Sequence, residues 1–238
     1  QKFRIAGLVK EEKLESGRTI SDIGYAPLGL GALTYGVSVE DMANAYATFP
    51  NGGEFREART YTKVYDSDGN LVLDNTQDSE QILSDKTVNY MNYCLINATA
   101  NGTGTQADFQ GQTIAGKTGS TSEFKDRWYC GFTGYYTAAV WCGYDDPEPI
   151  YCYSVNNPSA YLFKKVMGPI HEGKTDLLLY SQKKMQPVTI CLSSGKIATD
   201  ACKNDIRLVK PLNPEDFIVT SKTAVYAEDM PTETCDKH

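Results

Sequence analysis

Apolar residues recur at helical spacing in three stretches of the chain and cluster at strand spacing in several others. Ser38-Val39-Glu40-Asp41 has the form of a capping box, and Met42, Ala45, Tyr46 and Phe49 follow it on one face until Asn51-Gly52-Gly53; this predicts a first helix. Just before it, Leu28-Gly29-Leu30-Gly31 and Tyr35-Gly36 carry too much glycine for a helix interior. Residues 60–66 and 70–74 flank Ser67-Asp68-Gly69 and predict a hairpin turning at Asp68-Gly69. Ser84 caps a second predicted helix, with Val88, Met91, Leu95 and Ile96 as its apolar stripe and Gly102 and Gly104 at its end. Residues 158–170 predict a third, with Tyr161, Leu162, Val166 and Ile170 on a face.

The densest strand signal lies between the second and third helices. Residues 112–116, 127–133 and 137–144 are short runs rich in Thr, Ile, Tyr, Trp, Val and Phe, which predict consecutive antiparallel strands. Cys130 and Cys142 lie equally far from Tyr136, so a turn centred there would face them across two strands as a disulfide or close pair. From about Lys183 helical periodicity is lost, and short β-like runs with Pro211, Pro214 and Pro231 take over. The expected organisation is a main portion, residues 1–180, followed by a short β-like tail or appendage, residues 181–238.

Composition bounds the function classes. The 238 residues suffice for one domain with a small appendage. With 41% hydrophobic and 22% charged residues, the chain is neither collagen-like nor low-complexity nor mostly disordered. No apolar run approaches the roughly 20 residues of a membrane-spanning helix. Thirty acidic against 23 basic residues give a net charge of -7 with no basic block, which argues against a nucleic-acid partner. The seven cysteines contain no Cys-x-x-Cys pair and only two histidines accompany them, so their spacing argues against a zinc site, and no metal or other cofactor is expected. Buried thiols and a few disulfides remain alternative readings of the cysteines, the odd count leaving at least one unpaired within the chain. The chain opens at Gln1 with neither Met nor an apolar leader through Leu14, and the expectation is a piece of something longer.

Candidate chemistry centres on Lys117-Thr118-Gly119-Ser120, directly after the strand-like 113–116. A lysine and two hydroxyls around a glycine on an open strand edge can hold a carboxylate, and the glycine lets a peptide-like substrate lie against the strand. Lys-Thr-Gly is among the signatures of penicillin-binding proteins and class A β-lactamases. Its context is more specific. Residues 29–38 (Gly-Leu-Gly-Ala-Leu-Thr-Tyr-Gly-Val-Ser), Met42-Ala43, Ala45-Tyr46-Ala47-Thr48-Phe49 and Asn51-Gly52-Gly53 resemble the transpeptidase domain of class A penicillin-binding proteins. So do Asn101-Gly102-Thr103-Gly104, Ala115-Gly116-Lys117-Thr118-Gly119-Ser120, Asp126-Arg127-Trp128, Gly131-Phe132-Thr133 and Trp141-Cys142-Gly143-Tyr144-Asp145. Order and approximate spacing agree from about Tyr25 to Met167, with looser likeness through Cys191 and Cys202.

The resemblance implies an α+β fold, an antiparallel sheet flanked by helices, incomplete here on its N-terminal side. It implies a peptidoglycan D,D-transpeptidase acting through a serine acyl-enzyme on stem peptides and trapped by β-lactams. The parent would be anchored at the extracytoplasmic face of a bacterial membrane, with an N-terminal glycosyltransferase domain. Lys117 would tune the polar network around the nucleophile and attract the substrate carboxylate. Thr118, Gly119, Ser120 and Thr121 would line the substrate groove. The Ser120 backbone N–H would be one arm of the oxyanion hole, a donor worth ~3 kcal/mol in acyl transfer.

The family nucleophile, in Ser-x-x-Lys, and its Ser-x-Asn motif both precede Lys-Thr-Gly, and neither precedes Lys117 here. Ser122/Lys125, Ser181/Lys184, Ser193/Lys196 and Ser154-Val155-Asn156 all come after it, in the wrong order. The expectation is therefore no nucleophile in this chain, a partner in the missing N-terminal part of the same domain, and no activity of the chain alone. The alternative is a catalytically silent module that binds peptidoglycan or a partner. Asn97-Ala98-Thr99 and Asn101-Gly102-Thr103 are read as loop elements rather than glycosylation acceptors, Asp145 and Asp146 as a strand-end turn, and His171 and His238 as structural or solvated. Cys191 and Cys202 bracket a turn at residues 193–196 and are candidates for a disulfide closing the tail.

Overall fold

The strongest strand signals build one sheet. The computed structural model describes residues 3–5, 8–152, 154–180, 184–203 and 220–237, the Pro27 side chain excepted. Ser181, Pro211, Pro214 and His238 lie outside the described residues. Two compact units comprise residues 1–180 and 181–238. The first runs β1 (Glu12–Lys13), β2 (Thr19–Ile20), α1 (Tyr25–Leu30), α2 (Val39–Ala47), β3 (Glu54–Arg56), β4 (Lys63–Tyr65), β5 (Leu71–Asp74), β6 (Ser79–Gln81), α3 (Asp85–Ala100), β7 (Ala115–Ser120), β8 (Asp126–Phe132), β9 (Thr137–Gly143) and α4 (Pro158–Ile170). The second contains β10 (Met185–Cys191), α5 (Asp200–Lys203) and β11 (Thr220–Tyr226).

β7, β8 and β9 form an antiparallel sheet in that order, with β7 and β9 at its edges. Side chains alternate across the faces of β8. Tyr129 packs with Ala160, Phe163 and Met167 of α4, while Phe132 on the opposite face packs with Ala115, Leu95 and Leu179, partly covered by Tyr46 and Phe49. α4 and α2 therefore cover opposite faces. Full burial of each of these aromatic side chains favours the fold by about 1.5–3 kcal/mol. The result is an α+β arrangement of an antiparallel sheet flanked by helices.

The caps fall where the sequence puts them. Ser38 Oγ accepts the Asp41 N–H at 3.0 Å and Ser84 Oγ accepts the Thr87 N–H at 3.2 Å. β4 and β5 form the expected hairpin, Asp66 binding the Asp68 and Asn70 N–H groups at its turn.

Helix faces and one strand differ from expectation. A short helix, α1, runs through Leu28-Gly29-Leu30 despite its glycine and ends at Gly31, whose φ is +69°. On α3 the buried positions are Val88, Asn89, Asn92, Leu95 and Thr99, whereas Met91 is exposed. Asn92 Nδ2 donates to the Leu179 carbonyl at 2.5 Å and Thr99 bonds Tyr129, so these polar groups can occupy a buried face. On α4 the buried set is Ser159, Ala160, Phe163 and Met167, while Tyr161, Leu162, Val166 and Ile170 are exposed. Small residues and two anchors fix this rotation: Ser159 Oγ donates to the Arg127 carbonyl at 2.7 Å, and the Asn157 side chain caps the helix at Ala160 N, 3.0 Å.

The first sheet strand begins at Ala115 rather than Gln112, so Lys117-Thr118-Gly119-Ser120 lies within the strand rather than beyond its end. The expected pairing of Cys130 with Cys142 is overturned. Phe132 pairs with Thr137, which puts Cys130 opposite Ala139 and Cys142 opposite Arg127. The turn is centred between Gly134 and Tyr135 rather than at Tyr136, and the odd offset between Ala139 and Cys142 sends the two sulfurs to opposite faces. Both thiols are free, Cys130 buried and Cys142 half-buried.

Candidate active site

β7 lies at the sheet edge because nothing beyond it continues the ladder among the described residues. α3 covers its beginning: Thr99 Oγ1 lies 3.4 Å from the Gly116 carbonyl as donor and 2.8 Å from Tyr129 Oη. The helix ends at Asn101, and the chain then turns back across the remaining half of β7. Gly102 makes that turn possible, since a Cβ there would stand 2.8 Å from the Ala98 carbonyl oxygen.

The turn, β7 and the loop before α4 enclose a cleft of about 310 Å³. Gly102, Thr103, Thr105 and Gln106 line one side, Thr118 and Ser120 of β7 the second, and Arg127, Asn156 and Asn157 the third. Alternation puts Thr118 and Ser120 on one face of the strand and Lys117 and Gly119 on the other. Thr103 and Thr118 join their hydroxyls at 2.6 Å. The exposed Lys117 reaches back, its Nζ donating to the Thr118 carbonyl at 2.9 Å and lying 3.4 Å from Thr118 Oγ1. Gln106 Oε1 accepts the Asn157 N–H at 2.7 Å and so ties the turn to the α4 loop.

Arg127 is the deepest charge in the cleft, only 7% exposed. One guanidinium nitrogen donates to the Asn156 carbonyl, the group stacks over Phe124 at 4.6 Å, and Nε has no partner. Among the described residues neither Lys117 nor Arg127 has a carboxylate in ion-pair reach. A buried guanidinium and four hydroxyl residues lining the cleft, with the Lys117 ammonium 3.4 Å from one of those hydroxyls, suit an anionic, hydrogen-bonding ligand.

Of the residues singled out from sequence, Lys117, Thr118, Gly119 and Ser120 share β7, and Thr118 and Ser120 face the cleft. Gly119 lies opposite Trp128. Thr121 sits past the strand with its hydroxyl engaged by Asp126: Thr121 Oγ1 donates to Asp126 Oδ2 at 3.0 Å and accepts the Asp126 N–H at 2.8 Å. Trp141 Nε1 donates to the other carboxylate oxygen at 2.9 Å, which makes Asp126 a brace for the β7–β8 turn. Ser122 lies in that turn, while Lys125 pairs with Glu123 at 3.3 Å. Lys196 is held protonated well above the usual lysine range by Glu233 and Asp236, which unfits it as a base for Ser193. Asp145 and Asp146 are exposed just after β9. His171 is buried and structural, one ring nitrogen 2.6 Å from the Met167 carbonyl and the other 2.8 Å from Thr133 Oγ1.

Arg127, Thr103 and Asn157 carry no site signal of their own in the sequence, and Asn156 stands out only in the misplaced Ser-x-Asn match. Arg127 and Thr103 fall within the family-like motifs, but only the fold brings them to the cleft. Cys191 and Cys202 do converge, in the second unit, but with a third thiol, Cys235, that no motif marks in the sequence.

A family model for the penicillin binding protein transpeptidase domain matches residues 2–170. Penicillin-binding protein 1A of Clostridium botulinum (strain Langeland) is 33% identical over 185 residues, covering 76% of this chain and 22% of that protein. The chain therefore spans under a quarter of the length of this relative. Among solved structures, penicillin-binding protein 1A from Haemophilus influenzae superposes with a TM-score of 0.61 over 86% of this chain and 34% of that one, at 18% identity. The PonA1 protein of Mycobacterium tuberculosis, in complex with penicillin V, superposes with a TM-score of 0.53 over 63% of this chain and 42% of that one, at 23% identity. These two likenesses show the fold. Taken with the match over residues 2–170, the chain belongs to the penicillin-binding protein transpeptidase domain family.

Proposed function

We propose that residues 1–180 are the C-terminal portion of a serine D,D-transpeptidase domain, with residues 181–238 as an appendage. They contribute the strand and cleft that bind a stem peptide or a β-lactam, while the nucleophile comes from sequence outside these 238 residues. The observation that carries this reading is the pair of cations, Arg127 in the same cleft as Thr103 and Thr118 and Lys117 beside Thr118, with no carboxylate in ion-pair reach of either among the described residues. A peptide ending in a carboxylate would complete that charge set. The edge of β7, which no strand pairs among the described residues, offers backbone groups along which an extended peptide can lie.

In the reaction, a serine attacks the penultimate D-alanine carbonyl, the last D-alanine leaves, and an amine on a neighbouring stem takes the acyl group. Lys117 stabilises the polar network around that serine, Thr118 and Ser120 hold the carboxylate, and the Ser120 N–H receives the developing oxyanion. β-Lactams acylate the same serine and stay bound. Such an enzyme works on the extracytoplasmic face of the membrane that anchors it.

Fluorescent penicillin distinguishes this reading from a silent binding module. The 238-residue chain alone should form no covalent adduct, and the longer protein should label on a serine outside it. Lys117→Ala in that longer protein should abolish labelling. Undiminished labelling of the variant would remove Lys117 from the site, and absence of labelling in the intact protein would favour the silent module.

A further inference from the structure

The second unit carries a cluster that the transpeptidase chemistry does not use. Cys191, Cys202 and Cys235 bring their sulfur atoms within 4.8 Å of one another, and their exposures are 0%, 0% and 8%. With Ala198 packed against them, they form a hydrophobic cluster among the described residues of that unit. Among the described residues of the unit only Met185 and Tyr226 are further buried apolar side chains, and a small unit with a small core ordinarily needs a covalent or metal staple.

The backbone delivers the three thiols independently of any bond between them. Cys191 ends β10, and its carbonyl accepts the Gly195 N–H at 2.8 Å in a tight turn. Ile197 after that turn bridges to Ile190 on one side and to Thr234 on the other, and the Cys235 N–H donates to the Ile197 carbonyl at 2.8 Å. Lys196 clamps the turn to the last segment through Glu233 at 2.8 Å and Asp236 at 2.9 Å. Cys202 comes from α5, where the Thr199 N–H and hydroxyl lie 3.3 and 3.4 Å from its sulfur. Donors aimed at a sulfur favour its thiolate and fix its direction, as around a metal ligand.

A disulfide would use two of these sulfurs and leave the third buried beside it. A tetrahedral zinc ion uses all three. With zinc–sulfur bonds near 2.3 Å its ligand sulfurs stand about 3.8 Å apart, within about 1 Å of the limit that encloses this cluster. We propose that Cys191, Cys202 and Cys235 form a zinc site with three thiolate ligands, the fourth position taken by water or an external ligand. Binding replaces three S–H bonds by three Zn–S bonds, releases three protons and leaves a net charge of -1 with no change of oxidation state. The Cys-x-x-Cys spacing absent from the sequence is one way to place ligands side by side. Here a turn, a short helix and a bridged terminal segment do the same from positions far apart in the chain.

The test is metal titration of the whole 238-residue chain kept reduced with a phosphine. Cobalt(II) should give a sulfur-to-metal charge-transfer band and the intense visible absorption of a tetrahedral thiolate site. Zinc should displace it at one ion per chain, and zinc added to the metal-free chain should release three protons. Cys235→Ser and Cys202→Ser should each weaken zinc binding by about 100-fold or more, and Cys142→Ser should leave it unchanged. Should the serine variants fail to fold, the cobalt spectrum and proton count of the parent chain decide. No charge-transfer band, zinc uptake unaffected by all the ligand substitutions, or a disulfide within the cluster whose reduction gives no zinc uptake would each overturn the proposal.

Discussion

Thr99 Oγ1 and Tyr129 Oη meet at 2.8 Å in buried space, joining α3 to the middle strand of the sheet. The contact requires Gly116, because a Cβ there would stand 2.3 Å from Tyr129 Oη and 2.8 Å from the Cys130 carbonyl oxygen. Tyr129→Phe and Thr99→Val each leave one buried hydroxyl without this partner and should cost about 1–3 kcal/mol in urea unfolding. Tyr129→Phe should be the milder, since Thr99 also reaches the Gly116 carbonyl. The double variant should cost less than the sum. Gly116→Ala should destabilise more than either, and an unchanged urea midpoint for it would contradict the close approach.

The two capping serines give a second measurement. Ser38→Ala and Ser84→Ala should each lower stability by about 1 kcal/mol, while glycine at either position should cost only a few tenths more than serine. Unchanged stability of both alanine variants would mean that the Asp41 and Thr87 N–H groups do not depend on these hydroxyls.

These caps were legible because they are local: a Ser with the right residues after it determines its own hydrogen bond. The same holds for the β4–β5 turn at Asp68-Gly69 and for the presence of β8 and β9. What escaped depends on contacts across the fold. Leu162 and Val166 have as good a claim to an apolar face as Phe163 and Met167, and the rotation of α4 is decided by Ser159 and Asn157 gripping β8. The sheet register depends on the length of the β8–β9 turn: a centre between Gly134 and Tyr135 puts Cys142 opposite Arg127, where one at Tyr136 would put it opposite Cys130. Thr118 and Ser120 of the cleft, with Lys117 beside Thr118, could be read from one tetrapeptide. Arg127 and Thr103 enter only because β8 pairs with β7 and the chain turns at Gly102 after α3. The three cysteines of the second unit lacked a recognisable spacing because their convergence is made by the Ile197 bridges.

Cys130 supplies a prediction about alkaline stability. Burial pushes its thiol up to about 12 from an ordinary 9.0. Between those values the unfolded chain has lost the thiol proton and the folded chain keeps it, so stability is full below about pH 9 and falls as pH rises toward 12. The slope from one such group is about 1.4 kcal/mol per pH unit at most. Cys130→Val should flatten urea midpoints over that range relative to the parent, and an identical slope would exclude the thiol as a cause. In native chain near pH 8, iodoacetamide should modify the exposed Cys94 well before Cys130.

Arg127 tests the electrostatics of the cleft. Its guanidinium is buried, holds the Asn156 carbonyl and keeps Nε unpartnered, so it has capacity left for a ligand carboxylate. Arg127→Gln in the longer protein removes the charge while leaving a donor for Asn156. A charge-assisted hydrogen bond is worth about 1.5–3 kcal/mol, so penicillin acylation should slow by about 10- to 100-fold. A penicillin esterified at its carboxylate has no anion to lose, and its slower acylation should change little between parent and variant. Arg127→Lys should restore only part of the rate, because a point charge cannot present the planar fork that reaches Asn156 and a carboxylate together. If Arg127→Gln slowed the acid and the ester equally, Arg127 would be a structural support of the α4 loop and not the carboxylate partner.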